Sequence, residues 1–246
     1  MRAANGPFLT VVCGNSSIRL RRWSDGGCLV LPSHAPDPTA LRSFLTESPI
    51  AACAAVSVRV DAWHEIEPVL RAEVPVQLAG IDLPCPLPLD YDTPNTLGAD
   101  RWLAALAAHR RFGRALAIDC GSATTINLVE ADGRFRGGAI APGLAALRAG
   151  MRAATPALPA AELEAMPRVP ARSSQESVDT GVLLGFAGMV ERLVAEAVRS
   201  ARGPLQIVVT GGAATVLLRH ARLRAEHEPD LVHLGLLALL EPTWNC

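Results

Sequence analysis

Apolar positions recur along this chain in two rhythms, short runs or alternations of period two and longer stretches of period three to four, and their order predicts the elements. An apolar strand at 8–13 is followed by Gly14-Asn15-Ser16-Ser17 and a second strand through Ile18 and Leu20. Gly26-Gly27 then turns the chain into a third strand at 28–31. Residues 38–47 predict a helix with Asp37 as N-cap and Leu41, Phe44 and Leu45 on one face. A buried strand at 50–58, a helix from an Asp61 cap to about Arg71 and a short strand at 74–78 follow. Helices alternating with strands predict an α/β sheet whose ligand site lies beyond strand ends.

The rhythm lapses over 80–97, which carries Pro84, Pro86, Pro88 and Pro94 with Tyr91 and Asp92. Long irregular loops in compact domains are often functional. A helix is predicted from Gly98-Ala99-Asp100-Arg101-Trp102 to about His109. The opening plan then repeats: an apolar run ending in Asp119, a turn with Gly121, Ser122, Thr124 and Thr125, a second strand at 126–130, and a hairpin at Asp132-Gly133. Gly137, Gly138, Pro142 and Gly143 are expected to break the third strand and open a helix at Leu144. After a Pro-rich stretch at 156–173 comes a helix at 175–199, in which Gly181, Gly185 and Gly188 are expected to let another backbone approach. A strand at 205–209, Thr210-Gly211-Gly212, a helix at 213–220 and a short strand with a helix at 230–240 complete the chain. Two copies of one plan predict an internal duplication.

At 246 residues, half of them hydrophobic, the chain has room for one large or two small domains with a substantial core. A net charge of −1 offers no overall attraction to nucleic acid or an acidic membrane. All 23 basic residues are arginine. The absence of lysine excludes a Walker P-loop, the protein-kinase strand lysine and Schiff-base chemistry, each of which needs an ε-amine. The six cysteines (13, 28, 53, 85, 120 and 246) have no zinc spacing, and buried reduced thiols in a cytoplasmic protein are the expectation. The start, MRAANGPFLTVV, lacks the apolar stretch of a secretory signal, and no run approaches a membrane span.

The chemistry concentrates in the turns. A strand ending in Asp119 and running into hydroxyls brings backbone N–H groups and Ser/Thr side chains to an anion, while the carboxylate is placed to hold the cation an anion brings. Nucleotide phosphate with its metal fits both; a Gly-rich meander with a surface aspartate fits the spacing as well. The Thr210-Gly211-Gly212 turn into a helix is a further candidate anion site. Asp100 at a helix start reads either as a catalytic carboxylate or as a residue favouring the helix dipole. His227 and His233 read as surface groups, and Cys13 and Cys120 as buried packing residues.

Four stretches together resemble type III pantothenate kinases, in the acetate-kinase/actin/Hsp70-like ATPase superfamily: CGNSS at 13–17, YDTPNTLGADRW at 91–102, DCGSATTINLVEADGRFRGGAIAPGL at 119–144, and TGG at 210–212 with the closing PDLVHLGLLAL. The resemblance implies two duplicated ribonuclease-H-like domains, at 1–112 and 113–246, with ATP in the cleft between them. It implies transfer of the γ-phosphoryl group to the hydroxyl of pantothenate, giving 4'-phosphopantothenate in the first step of coenzyme A synthesis. By the same resemblance Asp100 is the general base, and Tyr91, Gly98, Ala99, Arg101 and Ser174 line the pantothenate site with it. Val12, Cys13, Gly14, Asn15, Ser16, Ser17, Ile18 and Arg19 form the first ATP turn, and Ser122 also contacts ATP. Asp119 holds a monovalent cation, K⁺ or NH₄⁺, and Mg²⁺ accompanies ATP. A homodimer is the family's usual state.

The chain departs from the family at named positions. The first turn of the family reads D-x-G-N-[ST], and Val12 stands at its aspartate; Arg19 stands where lysine is common, Asn127 where aspartate is frequent, and Ala213 where an acidic residue often follows Gly-Gly. An alternative expectation is therefore a relative that binds pantothenate or a similar ligand without turning it over.

Overall fold

The computed structural model describes residues 7–241; Cys246 lies outside them. Two compact units emerge, one formed by residues 1–111 together with 230–246 and the other by 112–229.

Unit 1 is built on a five-stranded sheet with strands in the order β3-β2-β1-β4-β5. Strands β1 (Phe8–Cys13), β2 (Ser17–Arg22) and β3 (Cys28–Pro32) form an antiparallel meander, and β4 (Ala52–Ser57) and β5 (Val76–Leu78) add in parallel on the other side of β1. Helices α1 (Pro38–Thr46) and α2 (Val60–Glu73) are the crossovers, as parallel pairing demands. Asp37 caps α1 by accepting from the amides of Thr39 and Ala40, as its sequence position predicts. Asp61 lies in the first turn of α2; the N-cap position belongs to Arg59. Alternation on the strands sends Leu9, Val11, Cys13, Cys53 and Ala55 into a core with Leu41, Phe44, Trp63, Ile66 and Leu70 from α1 and α2.

Unit 2 repeats the plan. Strands β6 (Ala115–Cys120), β7 (Ala123–Val129) and β8 (Phe135–Pro142) form the meander, and β9 (Gln206–Thr210) and β10 (Glu226–His227) add in parallel, giving the order β8-β7-β6-β9-β10. Its core gathers Leu116, Ile118, Ile126 and Val209 of the sheet with Val182, Leu183, Phe186 and Val190 of α5 (Ser174–Ser200) and Leu217 of α6 (Ala214–His220). Strand order and sense match position by position, so the predicted duplication is real at the level of topology.

Three local expectations are corrected. Strand β8 is not broken at Gly137 and Gly138: it runs through both to Pro142, absorbing them in a register shift opposite Asn127 and Val129. A side chain at Gly138 would place its Cβ 1.8 Å from the Ile126 carbonyl oxygen, so glycine lets the strand pass at the bulge. The short strand near the end precedes Asp230, at 226–227, and does not follow it. The last helix, α7 (Leu231–Leu240), does not belong with residues 113–229 as the expected boundary had it. It covers the face of the unit 1 sheet formed by β1 and β4, because a helix reading LVHLGLLALL is apolar all round and finds there both a sheet and α3 (Ala99–Phe112) to bury it. Gly235 makes this packing close: a Cβ there would stand 2.3 Å from the Leu103 carbonyl oxygen.

Candidate functional site

In unit 1 the turn between β1 and β2 is held from every side. The carbonyl of Gly14 accepts from the Ser33 hydroxyl at 2.7 Å, that of Asn15 from the Arg59 guanidinium at 2.8 Å, that of Ser16 from the Ser33 amide at 3.2 Å, and that of Ser17 from the Gly14 amide at 3.0 Å. All four turn carbonyls are thus occupied within the unit, which removes their partial negative charge as an obstacle to an anion. Val12 and Cys13 lie at the end of β1, with Ile18 and Arg19 opposite them on β2. Cys13 is buried, and that burial pushes its thiol pKa up, as its packing role requires.

The second part of unit 1 is the loop that leads into α3. A 3₁₀ turn at Pro94–Thr96, closed by the Thr96 hydroxyl bonding to Thr93, delivers the chain to Gly98. Asp100 sits in the first turn of α3, half-buried, and burial raises its carboxyl pKa against the opposing pull of the Arg101 amide and charge. A Cβ at Gly98 would come within 2.6 Å of Asp100 Oδ1, so a larger residue there would displace the carboxylate. Arg101 is buried and donates from Nη1 to the Tyr91 hydroxyl at 3.3 Å while its guanidinium lies 5.7 Å from the centre of that ring. Tyr91, Gly98, Ala99, Asp100 and Arg101 are therefore one contiguous group.

In unit 2 three motif segments converge. The Gly143 amide donates to the Ser122 carbonyl at 3.2 Å, bringing the Pro142-Gly143 turn and the start of α4 (Leu144–Ala154) to the β6–β7 turn. The Ala213 amide donates to the Cys120 carbonyl at 3.0 Å, bringing the Gly211-Gly212 turn and the start of α6 to the same place. Neither α4 nor α6 has a side-chain N-cap, so backbone donors at both helix starts remain for other acceptors. Asp119 is at the centre: Gly211, at φ +91°, passes so near that a Cβ would meet its Oδ1 at 2.3 Å. Its register neighbours are Thr125 on β7 and Thr210 on β9. Carboxylate and hydroxyl oxygens are hard donors suited to an alkali cation. Cys120 beside it is buried, and burial with the Asp119 charge pushes its thiol to about 12, which excludes it as a nucleophile at neutral pH.

For a divalent ion the donor set is poorer. Val12 has no oxygen, and among the described residues no group of three or more His, Cys, Asp or Glu is placed to hold a metal. Asn127, buried, donates to the Thr125 hydroxyl at 3.1 Å, and Ala213 serves as the α6 N-cap position. Asn127 thus has a local hydrogen-bonding role, whereas the side chain of Ala213 makes no cap bond.

Ser174 opens α5 next to its N-cap Ser173, which accepts from the Glu176 amide. A cavity of about 910 Å³ lies here, walled by Leu147 and Met151 of α4, Val182 and Phe186 of α5 and Leu158 of the Pro-rich loop, with Arg172, Ser173 and Ser174 at its polar end. Gly181 and Gly185 line it, and no heavy atom among the described residues lies within 4 Å of a Cβ built at 181, 185 or 188. The expected close approach of a backbone is absent there; the glycines leave a hollow instead. His233 is not the surface group its polarity suggests. It is fully enclosed, with Nδ1 2.9 Å from the Thr10 hydroxyl, which itself accepts from Trp23 Nε1 at 3.0 Å. The leucine-rich surroundings of His233 were the available signal.

Comparison with known proteins gives these groups a common context. The profile of the type III pantothenate kinase family matches residues 8–196. The chain is 38% identical over 184 residues to a type III pantothenate kinase of Rhizorhabdus wittichii, covering 74% of this chain and 68% of that one. It is 35% identical over 206 residues to that of Nocardia farcinica, covering 75% of each. Among solved structures, a conserved Campylobacter jejuni protein assigned to the Baf family of transcriptional activators aligns with TM-score 0.63 at 18% identity, covering 96% of this chain and 98% of that one. MreB 5 of Spiroplasma citri bound to AMPPNP aligns with TM-score 0.52 at 13% identity over 97% and 96%. These likenesses carry the fold, that of the actin-like ATPases with their duplicated ribonuclease-H-like units. The family match and the identities carry more: this chain belongs to the type III pantothenate kinases.

Proposed function

We propose that this protein transfers the γ-phosphoryl group of ATP to the primary hydroxyl of pantothenate, giving 4'-phosphopantothenate and ADP. The observation that carries the assignment is the start of α3, where Asp100 is half-buried with a raised carboxyl pKa and Tyr91, Gly98 and Arg101 are grouped about it. As the hydroxyl oxygen bonds to phosphorus and the bond to the ADP oxygen breaks, the hydroxyl proton passes to Asp100. A base with a raised pKa holds that proton better, provided the pH is high enough to keep it ionised beforehand. Arg101 meets the pantothenate carboxylate with its fixed fork of donors, oriented by Tyr91. Gly98 and Ala99 give backbone contacts at the same group; Ser174 is proposed as a pantothenate contact in its own unit.

Residues 12–19 supply ATP contacts, and Ser122 is proposed as an ATP contact in its own unit. A divalent ion would neutralise phosphate charge, and the first turn, with Val12 in it, would offer that ion no carboxylate. Asp119, with Thr125 and Thr210 as neighbours, holds K⁺ or NH₄⁺. The working unit is a homodimer, in keeping with the apolar hollow and the exposed Met166, Val169 and Leu184 on and beside α5. No helix among the described residues is long and apolar enough to cross a membrane, and the five described cysteines are free, which supports a cytoplasmic location. No observation favours a relative that only binds its ligand.

The test is purified protein incubated with ATP, Mg²⁺, K⁺ and pantothenate, with both products followed by mass spectrometry. ADP and phosphopantothenate rising in equal amounts is the expected result. ADP formed only with a different alcohol from an acceptor panel would overturn the substrate, and no ADP with any acceptor would overturn the kinase.

A further inference from the structure

The matching topology of the two units allows their turns to be compared position by position. Val12 on β1 corresponds to Asp119 on β6: each is the penultimate residue of its strand, before Cys13-Gly14 and Cys120-Gly121. Across the sheet, Asp119 pairs with Thr125 and Thr210, whereas Val12 pairs with Arg19 and Val56. Unit 2 thus carries an oxygen trio that suits a cation. Unit 1 carries, at the same place, Val12 between Arg19 and Val56, so its one polar group there is a guanidinium.

The charge of Arg19 is uncompensated. It is half-buried and has no hydrogen bond or ion pair among the described residues, and its register neighbours on either side are Val12 and Val30. Arg21, two residues along on the same face, differs: it is paired with Asp230 at 2.9 Å and stacked over Trp23. The field of both arginines is felt by His233, which stays neutral and adds no competing charge. The guanidinium stands beside a turn whose four carbonyls are already occupied, so a polyanion meets positive charge there without displacing a partner among the described residues.

We propose that the Val12, Arg19 and Val56 position binds nucleotide phosphate through the guanidinium alone, so that ATP binds this protein whether or not a divalent ion accompanies it. The inference rests on the phosphoryl-transfer reading above and goes beyond it. In unit 1 the positive charge comes from the chain, where a carboxylate at position 12 would need a metal to bridge it to phosphate. Arg19's neighbours across the sheet, Val12 and Val30, are both apolar and offer its guanidinium no competing acceptor.

The test is calorimetric titration of ATP into the full chain, in EDTA and in Mg²⁺, for the parent, Arg19→Gln, Arg19→Lys and Val12→Asp. The parent is expected to bind in both buffers with dissociation constants within about threefold, and Arg19→Gln to weaken both about tenfold or more, as loss of a charge-assisted contact does. Arg19→Lys keeps the charge without the fork and is expected to lie between them; it serves if the glutamine variant is unfolded by circular dichroism. Val12→Asp places a carboxylate beside the phosphates and is expected to lose binding in EDTA and recover it in Mg²⁺. Parent binding that needs Mg²⁺ and is indifferent to Arg19→Gln would overturn the inference and leave the kinase assignment standing. No ATP binding in either buffer would bring down both.

Discussion

His233 shows how a single residue reports the packing around it. Trp23 Nε1 can only donate, so the Thr10 hydroxyl accepts from it while sharing a second hydrogen bond with His233 Nδ1. Burial, followed by the charges of Arg21 and Arg19, keeps the ring neutral and lowers its pKa to about 3. An unfolded histidine takes up its proton near its ordinary value of about 6.5 while the folded one refuses it, so stability is full above that pH and declines as pH falls towards 3. The slope from this one group is about 1.4 kcal/mol per pH unit. Urea titrations between pH 7 and 4 are expected to show His233→Gln losing less stability on acidification than the parent; identical slopes would contradict the buried network. A histidine amid leucines was legible as enclosed, but its partner, 223 residues away, was not, because nothing local in a sequence encodes which strand a terminal helix will cover.

At the scale of elements, the glycines separate into kinds that the sequence does not distinguish. Gly181, Gly185 and Gly188 look like a contact stripe, yet the structure has open space where their Cβ atoms would be. Gly235 gave no such signal and is the true close approach, against Leu103. Helix propensity alone favours alanine over glycine by about 1 kcal/mol. Gly185→Ala is accordingly expected to stabilise the protein by about 0.5–1 kcal/mol, while Gly235→Ala is expected to destabilise it by about 1–3 kcal/mol, as overpacking does. Paired denaturant melts decide this, and a stabilised Gly235→Ala would show that α3 and α7 part without cost. Strands and helices themselves were legible, since a period of two or three to four is local. The bulge at Gly138 was not, because a glycine that breaks a strand and one that lets a strand pass have the same letter.

For the whole molecule, repetition was the strongest signal. Two runs of strand, Gly-plus-hydroxyl turn, strand, Gly turn and strand predicted two sheets, and both have the same order and sense. The boundary near residue 112 was legible from the end of a helix; the return of α7 to the first unit was not, since it is a tertiary choice made by an apolar face. The grouping of candidate residues was legible where a motif is contiguous: Tyr91 and 98–101 come together in unit 1, and Asp119 stands beside Thr125 in its turn. The chain's departures from the family pattern become informative only in register, where Val12, in place of an aspartate, is the neighbour of an arginine that has no ion pair among the described residues. The central claim is that Asp100 takes the proton of the attacking alcohol, and its pKa, raised by burial, makes the rate sensitive to pH. The most direct measurement is kcat for phosphopantothenate formation against pH, for the parent and Asp100→Asn. The parent rate is expected to fall as acid protonates a carboxyl above its ordinary range, and the variant to lose about 10²–10⁴-fold with that limb gone, while pantothenate still binds. A variant that keeps the parent's rate and the parent's acid limb would contradict the account.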